Sequence, residues 1–456
     1  MRKDSGMNYI FFVLIILFAA CKKNETSSQI LPTQADTPIT APTPPPVATG
    51  PSYSKTYEVG TGSGDLVING SAYTLGGTVL FKIKGGSYKS IKIANVDGGA
   101  NGLVTFQNNG LVESTGEMRL ENLNKVVLSG NGTSGIEKGF LFQNIGYRAI
   151  QVDGTINNFT LQYFAFKNIG DNVITYKYET AYTGAEGSYS QNLKFLNIDC
   201  DNTGQLISGS GSSNNGVLQG FIKNLEIAYV NYQNSPKVGS IVWFGNVENY
   251  DIHHNTVNNV NTANDNHNGI FLMNGNGQFH HNRISNHQGN AIRAHSFTVG
   301  STPKDVLIYN NIVFNSRKYS AFEVQGFGYS ITPGKTTYVN AKIFNNTCGS
   351  LNSSNDWQGN VVDVYSLFGG KCNVFNNVAY NLPAPYVIAG QESDLIPTSS
   401  NNFYFKTSRE AGIIDENNFK LTENSPLKNK GIAEPLLTTD FYGVARASNP
   451  SVGAVE

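Results

Sequence analysis

Arg293, His295, Glu323, Asp363 and Tyr365 fall at the same phase of short runs in which apolar residues alternate with others. Taking Val242, Phe244, Ile270, Leu272, Ile292, Ala294, Phe322, Val324, Val362 and Val364 as inward places Trp243, Phe271, Met273, Gln325 and those five on one outer face. Its chemistry changes along its length, from aromatic and apolar to ionisable. A guanidinium pairs with a carboxylate through two parallel hydrogen bonds, and an imidazole moves protons near neutral pH. With aromatic faces for sugar rings, the set suits an acidic polysaccharide. Arg293 would neutralise a uronate carboxylate, His295 or His267 would take the C5 proton, and Tyr365 would assist the leaving oxygen, a β-elimination. Trp243, Phe271, Gln325 and Lys318 would bind substrate.

Two further readings use the same residues. Glu323 and Asp363 on adjacent strands would stand about 4.8 Å apart, near the roughly 5 Å carboxyl separation of retaining glycosidases. That makes them a hydrolase pair. Alternatively, the face from Trp243 to Tyr365 binds or adheres to a glycan without cleaving it. His267 lies in the polar loop Asn264 to Asn268, which enters the same column, and His287, Lys304, Arg317 and Lys318 flank it as sources of positive potential. His253, His254, His280 and His281 form two doublets that raise the question of zinc. Because Tyr309, Phe344 and Phe375 continue the positions of His253 and His280, a stacked exterior ladder fits them better. The sequence requires no metal or cofactor.

These residues are positioned by a repeat. Ile252-His253-His254-Asn255-Thr256-Val257 recurs as Phe279 to Ile284, Ile308 to Val313, Ile343 to Cys348 and Val374 to Ala379, each with Asn fourth: Asn282, Asn311, Asn346 and Asn377. Leu161 to Phe166, Phe195 to Cys200 and Leu225 to Val230 keep the apolar anchors without the Asn. Self-similarity at about 30 residues marks a solenoid, and period-2 alternation between the anchors makes it β rather than helical. The expected fold is all-β: a right-handed parallel β-helix with coils stacked about 4.8 Å apart. Asn tolerates the left-handed backbone of a turn and can bond to the next Asn, so five coils should share an Asn ladder.

Lys plus Arg number 32 against 33 Asp plus Glu, without a basic stripe, which argues against a nucleic-acid partner. The chain is expected to be a monomer. Gly at 48 and charged residues at 14% suit turn-rich extracellular β-structure. Cys200 and Cys348 occupy inward anchors and Cys372 lies two residues before inward Val374, so they read as core thiols, with a Cys348–Cys372 disulfide left open by spacing alone.

The ends carry resemblances. Arg2 and Lys3 precede an apolar run from Tyr9 that closes with Phe18-Ala19-Ala20-Cys21. This is similar to the lipobox of bacterial lipoproteins, which implies a signal peptide over 1–20 and a lipid anchor on Cys21. Residues 21–56, rich in Pro, read as a disordered tether; 57–400 as the β-helix; 401–456 as a C-terminal capping segment. Ser425-Pro426, Gly431, Asp440-Phe441-Tyr442-Gly443 and the terminal Gly453-Ala454-Val455-Glu456 resemble the C-terminal module of Bacteroidetes-type right-handed β-helix proteins. The resemblance implies a polysaccharide-lyase-like protein held at the outer membrane or cell surface, with a periplasmic orientation also open. The loop around His267 resembles, without its Pro and final Asp, the Asp-Pro-His-Asp element of mannuronan epimerases. The paired Asp residues of β-helix polygalacturonases and the calcium carboxylates of pectate lyases have no counterpart. Arg293 with Lys318 would match the Arg and Lys of the chondroitinase B and alginate lyase group only if the intervening loop folds back.

Overall fold

The computed structural model describes residues 52–456 except 265, 301, 327–334, 337–338, 358, 368–369, 384–386 and 393–396. The leader, Cys21 and the tether up to residue 51 lie outside the described residues. The first strand, Lys55–Val59, pairs in parallel with Val79 to Ile83, so ordered sheet begins two residues inside the segment expected to be tether.

The chain is a right-handed parallel β-helix, and the pairings within its main sheet are all parallel. Each coil has three strand faces. The first runs through Ile252, Phe279, Ile308, Ile343 and Val374, which are in register. The second runs through Val257, Ile284, Val313, Cys348 and Ala379. The third runs through Val242, Phe271, Ile292, Phe322 and Val362. All of these side chains are inside, in one continuous apolar core that also holds Cys200, Cys348 and Cys372. The three cysteines are free thiols, so no Cys348–Cys372 disulfide forms.

Both anchors of one coil, expected at Leu225 and Val230, are displaced. Ile227, not Leu225, is in register with Phe195 and Ile252, and Tyr232 pairs with Cys200 and Val257. Leu225 and Ile227 share a face, so period 2 alone cannot separate them.

The Asn ladder is present and has a sixth rung. Asn282 Nδ2 donates to Ile252 O at 2.9 Å and to Asn311 Oδ1 at 3.1 Å, and Asn282 Oδ1 accepts from the backbone and side-chain nitrogens of Asn255. The same pattern runs through Asn346 and Asn377 to Asn402, which accepts from Asn377 at 2.9 Å. Asn402 escapes the repeat pattern because its first anchor position is Ser399. The left-handed conformation belongs to the residue before each ladder Asn: His254, His281, Asn310, Asn345, Asn376 and Asn401 all have φ between 50° and 55°. The ladder Asn is therefore selected for its buried amide bonds, and the turn conformation is carried by its neighbour.

The C-terminal segment doubles back against the second strand face. Ala411, Ile413, Phe419, Leu427, Phe441, Val452 and Ala454 form a cluster with Ile312, Val378 and Tyr380 of the coils. Arg446 Nη2 donates to Asn310 Oδ1 at 2.8 Å, and Asn345 Nδ2 donates to Gly453 O at 3.2 Å. Asp440 accepts from Tyr442 N, Val444 N and Glu456 N, so the Asp-x-x-Gly turn and the terminal residues lock each other.

Candidate functional site

The third strand face carries the outward column. Ser208, Trp243, Leu272, Arg293, Glu323 and Asp363 are in register, and Asn274, His295, Gln325 and Tyr365 form a second column beside them. Phe271 and Met273 are not on this face: both are fully buried in the core, and Leu272 takes the outward position. The cause is a doubled apolar corner. Ile241-Val242, Ile270-Phe271, Ala291-Ile292, Ala321-Phe322 and Val361-Val362 are all buried pairs, so alternation counted from the first member of a pair is out of phase by one residue.

The loops that lead into this face roof it. Glu323 and Asp363 point away from the core yet are each only 1% exposed, and Gln325 is 4% exposed. Arg293 Nε donates to Glu323 Oε1 at 2.7 Å and its Nη1 donates to His267 O at 3.1 Å, which leaves Nη2 without a partner among the described residues. Gln325 Nε2 donates to the same Glu323 oxygen. The other Glu323 oxygen lies 3.3 Å from His267 Nε2, in ion-pair range but obliquely; the aligned acceptor is Asn290 Oδ1 at 3.2 Å. Burial alone would favour the neutral acid. The close approach of His267 Nε2 and the charge of Arg293 outweigh it, and the Glu323 pKa lies below the ordinary value.

This arrangement fixes the tautomer of His267. Asn290 Nδ2 is occupied as a donor to Ser320 O at 2.9 Å, so Asn290 presents its oxygen to the imidazole. Both groups facing Nε2 are acceptors; Nε2 carries the hydrogen and the lone pair of the neutral ring is on Nδ1. The ring is also clamped from its face. Tyr319, 5% exposed, stacks on it with centroids 3.9 Å apart and planes 11° from parallel. Tyr319 has φ of 79°, a costly backbone for a bulky residue, held where it supports the imidazole. The loop backbone is pinned by buried amides: Gln288 Nε2 donates to Asn266 O at 3.0 Å and Asn261 Nδ2 to Gln288 O at 3.0 Å.

His295, the first-choice base from the sequence, stands in the second column. Burial, reinforced by the Arg293 charge, depresses its pKa to about 4. Asp363 accepts from Ser320 Oγ at 3.0 Å, and burial with the nearby Glu323 charge raises its pKa to about 7 despite that bond. Lys318 Nζ pairs with Asp356 Oδ2 at 3.1 Å. Arg317 donates from Nη2 to Asn264 O and ties the His267 loop to the next coil. His287 is a wholly buried side chain, with its pKa pushed down to about 4 by burial, rather than a source of positive potential. Lys304 lines a separate polar cleft with Asn224, Glu248 and Asp305. Asn290 and Tyr319 were beyond sequence reasoning, since a contact between loops of different coils leaves no periodic trace.

The histidine doublets form the expected ladder. His253 stacks on His280 at 5.0 Å and His254 on His281 at 4.8 Å, and Tyr309, Phe344 and Phe375 extend the first stack at 4.7, 5.0 and 5.2 Å. Their Nδ1 atoms are spent on each other, at 2.8 Å in one doublet and 2.7 Å in the other. Nε2 of His280 faces Asp251 at 3.0 Å and Nε2 of His281 faces Asn310 at 3.0 Å. The lone pairs thus do not converge on a common point. A larger cleft of about 510 Å³ among the N-terminal coils, floored by Ile145 and Ile169 and edged by Asn144, Asn168 and Asn202, has Lys237 as its one ionisable lining residue.

No protein-family model and no curated protein matches this sequence. Among solved structures, the chain is similar to pectate lyase Pel9A, with 15% identity over 83% of this chain and 88% of that one and a TM-score of 0.37. It is also similar to the PL6 family polysaccharide lyase Pedsa3628 from Pseudopedobacter saltans, with 11% identity over 85% of this chain and 98% of that one and a TM-score of 0.39. At these identities no residue role passes from either protein to this chain.

Proposed function

We propose that this β-helix protein is a lipoprotein of the bacterial outer membrane or cell surface, monomeric, that cleaves an extracellular uronate-containing polysaccharide by β-elimination. The observation that carries the reading is Glu323: one buried carboxylate holds a guanidinium on one oxygen and approaches an imidazole with the other. That is the pair a lyase needs side by side. Arg293, through Nη2, neutralises the uronate carboxylate and so acidifies the C5 proton. His267 Nδ1 accepts that proton, electrons from the C5–H bond form the C4–C5 double bond, and the C4–O bond breaks. Tyr365, two coils above Arg293, donates to the leaving oxygen. Between His267 and His295, the first suits the base better, because burial and a neighbouring positive charge make His295 a weak proton acceptor.

The hydrolase reading is less favoured, since Glu323 and Asp363 are both buried and bonded internally, out of reach of a sugar. The adhesive reading draws support from the lower part of the column, where Trp243 and Leu272 offer an apolar surface between Ser208 and Arg293. Incubating the protein with acidic and neutral polysaccharides while following both unsaturated ends and reducing ends tests all three readings. Unsaturated products from a uronate polymer support the lyase; reducing ends without unsaturation support a hydrolase; binding without products supports adhesion.

A further inference from the structure

Trp357 is 49% exposed, beside the stack that holds His267. Its ring meets Tyr319 edge-on at 5.4 Å and lies 6.0 Å from the His267 ring at 54°. A tryptophan left half in water is unusual, and here the protein fixes it there. Lys318 binds Asp356, the residue before it, and Asn352 Nδ2 donates to Trp357 O. Ser353 N and Ser354 N donate to Ser316 O and Arg317 O, each at 3.0 Å, which moors the whole loop to the neighbouring coil. An aromatic face pre-ordered in this way loses little entropy when something covers it.

We infer that Trp357 is the stacking platform of a binding subsite for a pyranose ring next to the one that reacts at His267; this rests on the polysaccharide reading above. The surroundings select the ligand class. The indole is a lone apolar plate in a polar rim that includes His267, Lys318 and Asp356, which matches a sugar, apolar on its C–H face and hydroxylated around its edge. An apolar ligand would leave that rim unsatisfied. Lys318 acquires a role that its charge alone does not suggest: through Asp356 it positions the platform rather than touching substrate.

The chain has two tryptophans, so in Trp243→Phe the indole fluorescence comes from Trp357 alone. That variant would be titrated with polygalacturonate, alginate and dextran, each also assayed for cleavage by the parent. The expected result is a saturable change in Trp357 emission with a polymer that the parent cleaves. In the otherwise intact protein, Trp357→Ala should raise KM about tenfold with kcat largely kept, and Lys318→Met should do the same to a lesser degree. A cleaved polymer that leaves Trp357 emission and the Trp357→Ala KM unchanged overturns the subsite while the lyase reading stands. If no polymer is cleaved and none alters the emission, both fall.

Discussion

Replacing Asp363 by Asn should stabilise the protein, and by an amount that grows with pH. Asp363 is 1% exposed, accepts one hydrogen bond from Ser320, and sits in register above Glu323, which Arg293 and His267 keep ionised. Its pKa is raised from 3.8 to about 7. Between those values the folded state holds a proton that the unfolded state has released, so stability falls as pH rises through this window and levels off above it. At about 1.4 kcal/mol per pH unit, the parent loses roughly 4 kcal/mol across the full window and about 3 kcal/mol between pH 5 and 7. Asn cannot ionise and keeps the acceptor for Ser320. Urea midpoints for parent and Asp363→Asn at about pH 5 and pH 8 give the difference directly. The depressed histidines, His254, His287 and His295, each near 4, act in the opposite direction: their contribution is present above about pH 6.5 and lost as pH falls toward 4. They are common to both proteins and cancel in the comparison. A gain that is the same at both pH values would refute the assignment of Asp363 as a buried neutral acid.

Asn282→Ala should lower stability by roughly 1–3 kcal/mol, because Ile252 O and the amide groups of Asn255 and Asn311 lose a buried partner; an unchanged denaturation midpoint would count against the ladder. Arg293→Lys should lower kcat/KM on a uronate polymer, since an ammonium cannot reach Glu323 and a substrate carboxylate in the same plane; full activity would remove Arg293 from substrate binding. Cys21→Ser should leave an unlipidated protein with its leader uncleaved, whereas normal processing and membrane retention would sink the proposed anchor.

The fold was open to sequence reading because a solenoid writes its geometry as a period. The inward anchors and the Asn at 255, 282, 311, 346 and 377 had to recur for coils to stack. The reading slipped where two solutions share a face or a corner: at Leu225 against Ile227, and at Ile270 against Phe271. The candidate site was legible only as a column. Arg293, Glu323 and Asp363 were placed by alternation, but their burial comes from loops of different coils, and no alternation records that. His267 gains its standing over His295 from contacts to Asn290, Tyr319 and Glu323, residues 23, 52 and 56 positions further along the chain.

In the proposed reaction His267, oriented by Glu323 and Asn290, is the base of a β-elimination assisted by Arg293. The most direct test is the appearance of unsaturated uronate ends in the ultraviolet, followed for parent, His267→Ala and His295→Ala on a polymer the parent cleaves. His267→Ala should lose roughly 10²–10⁴-fold in kcat while still binding the polymer, and His295→Ala should retain most of its turnover. Full activity in His267→Ala, or a loss confined to His295→Ala, would contradict that role for His267.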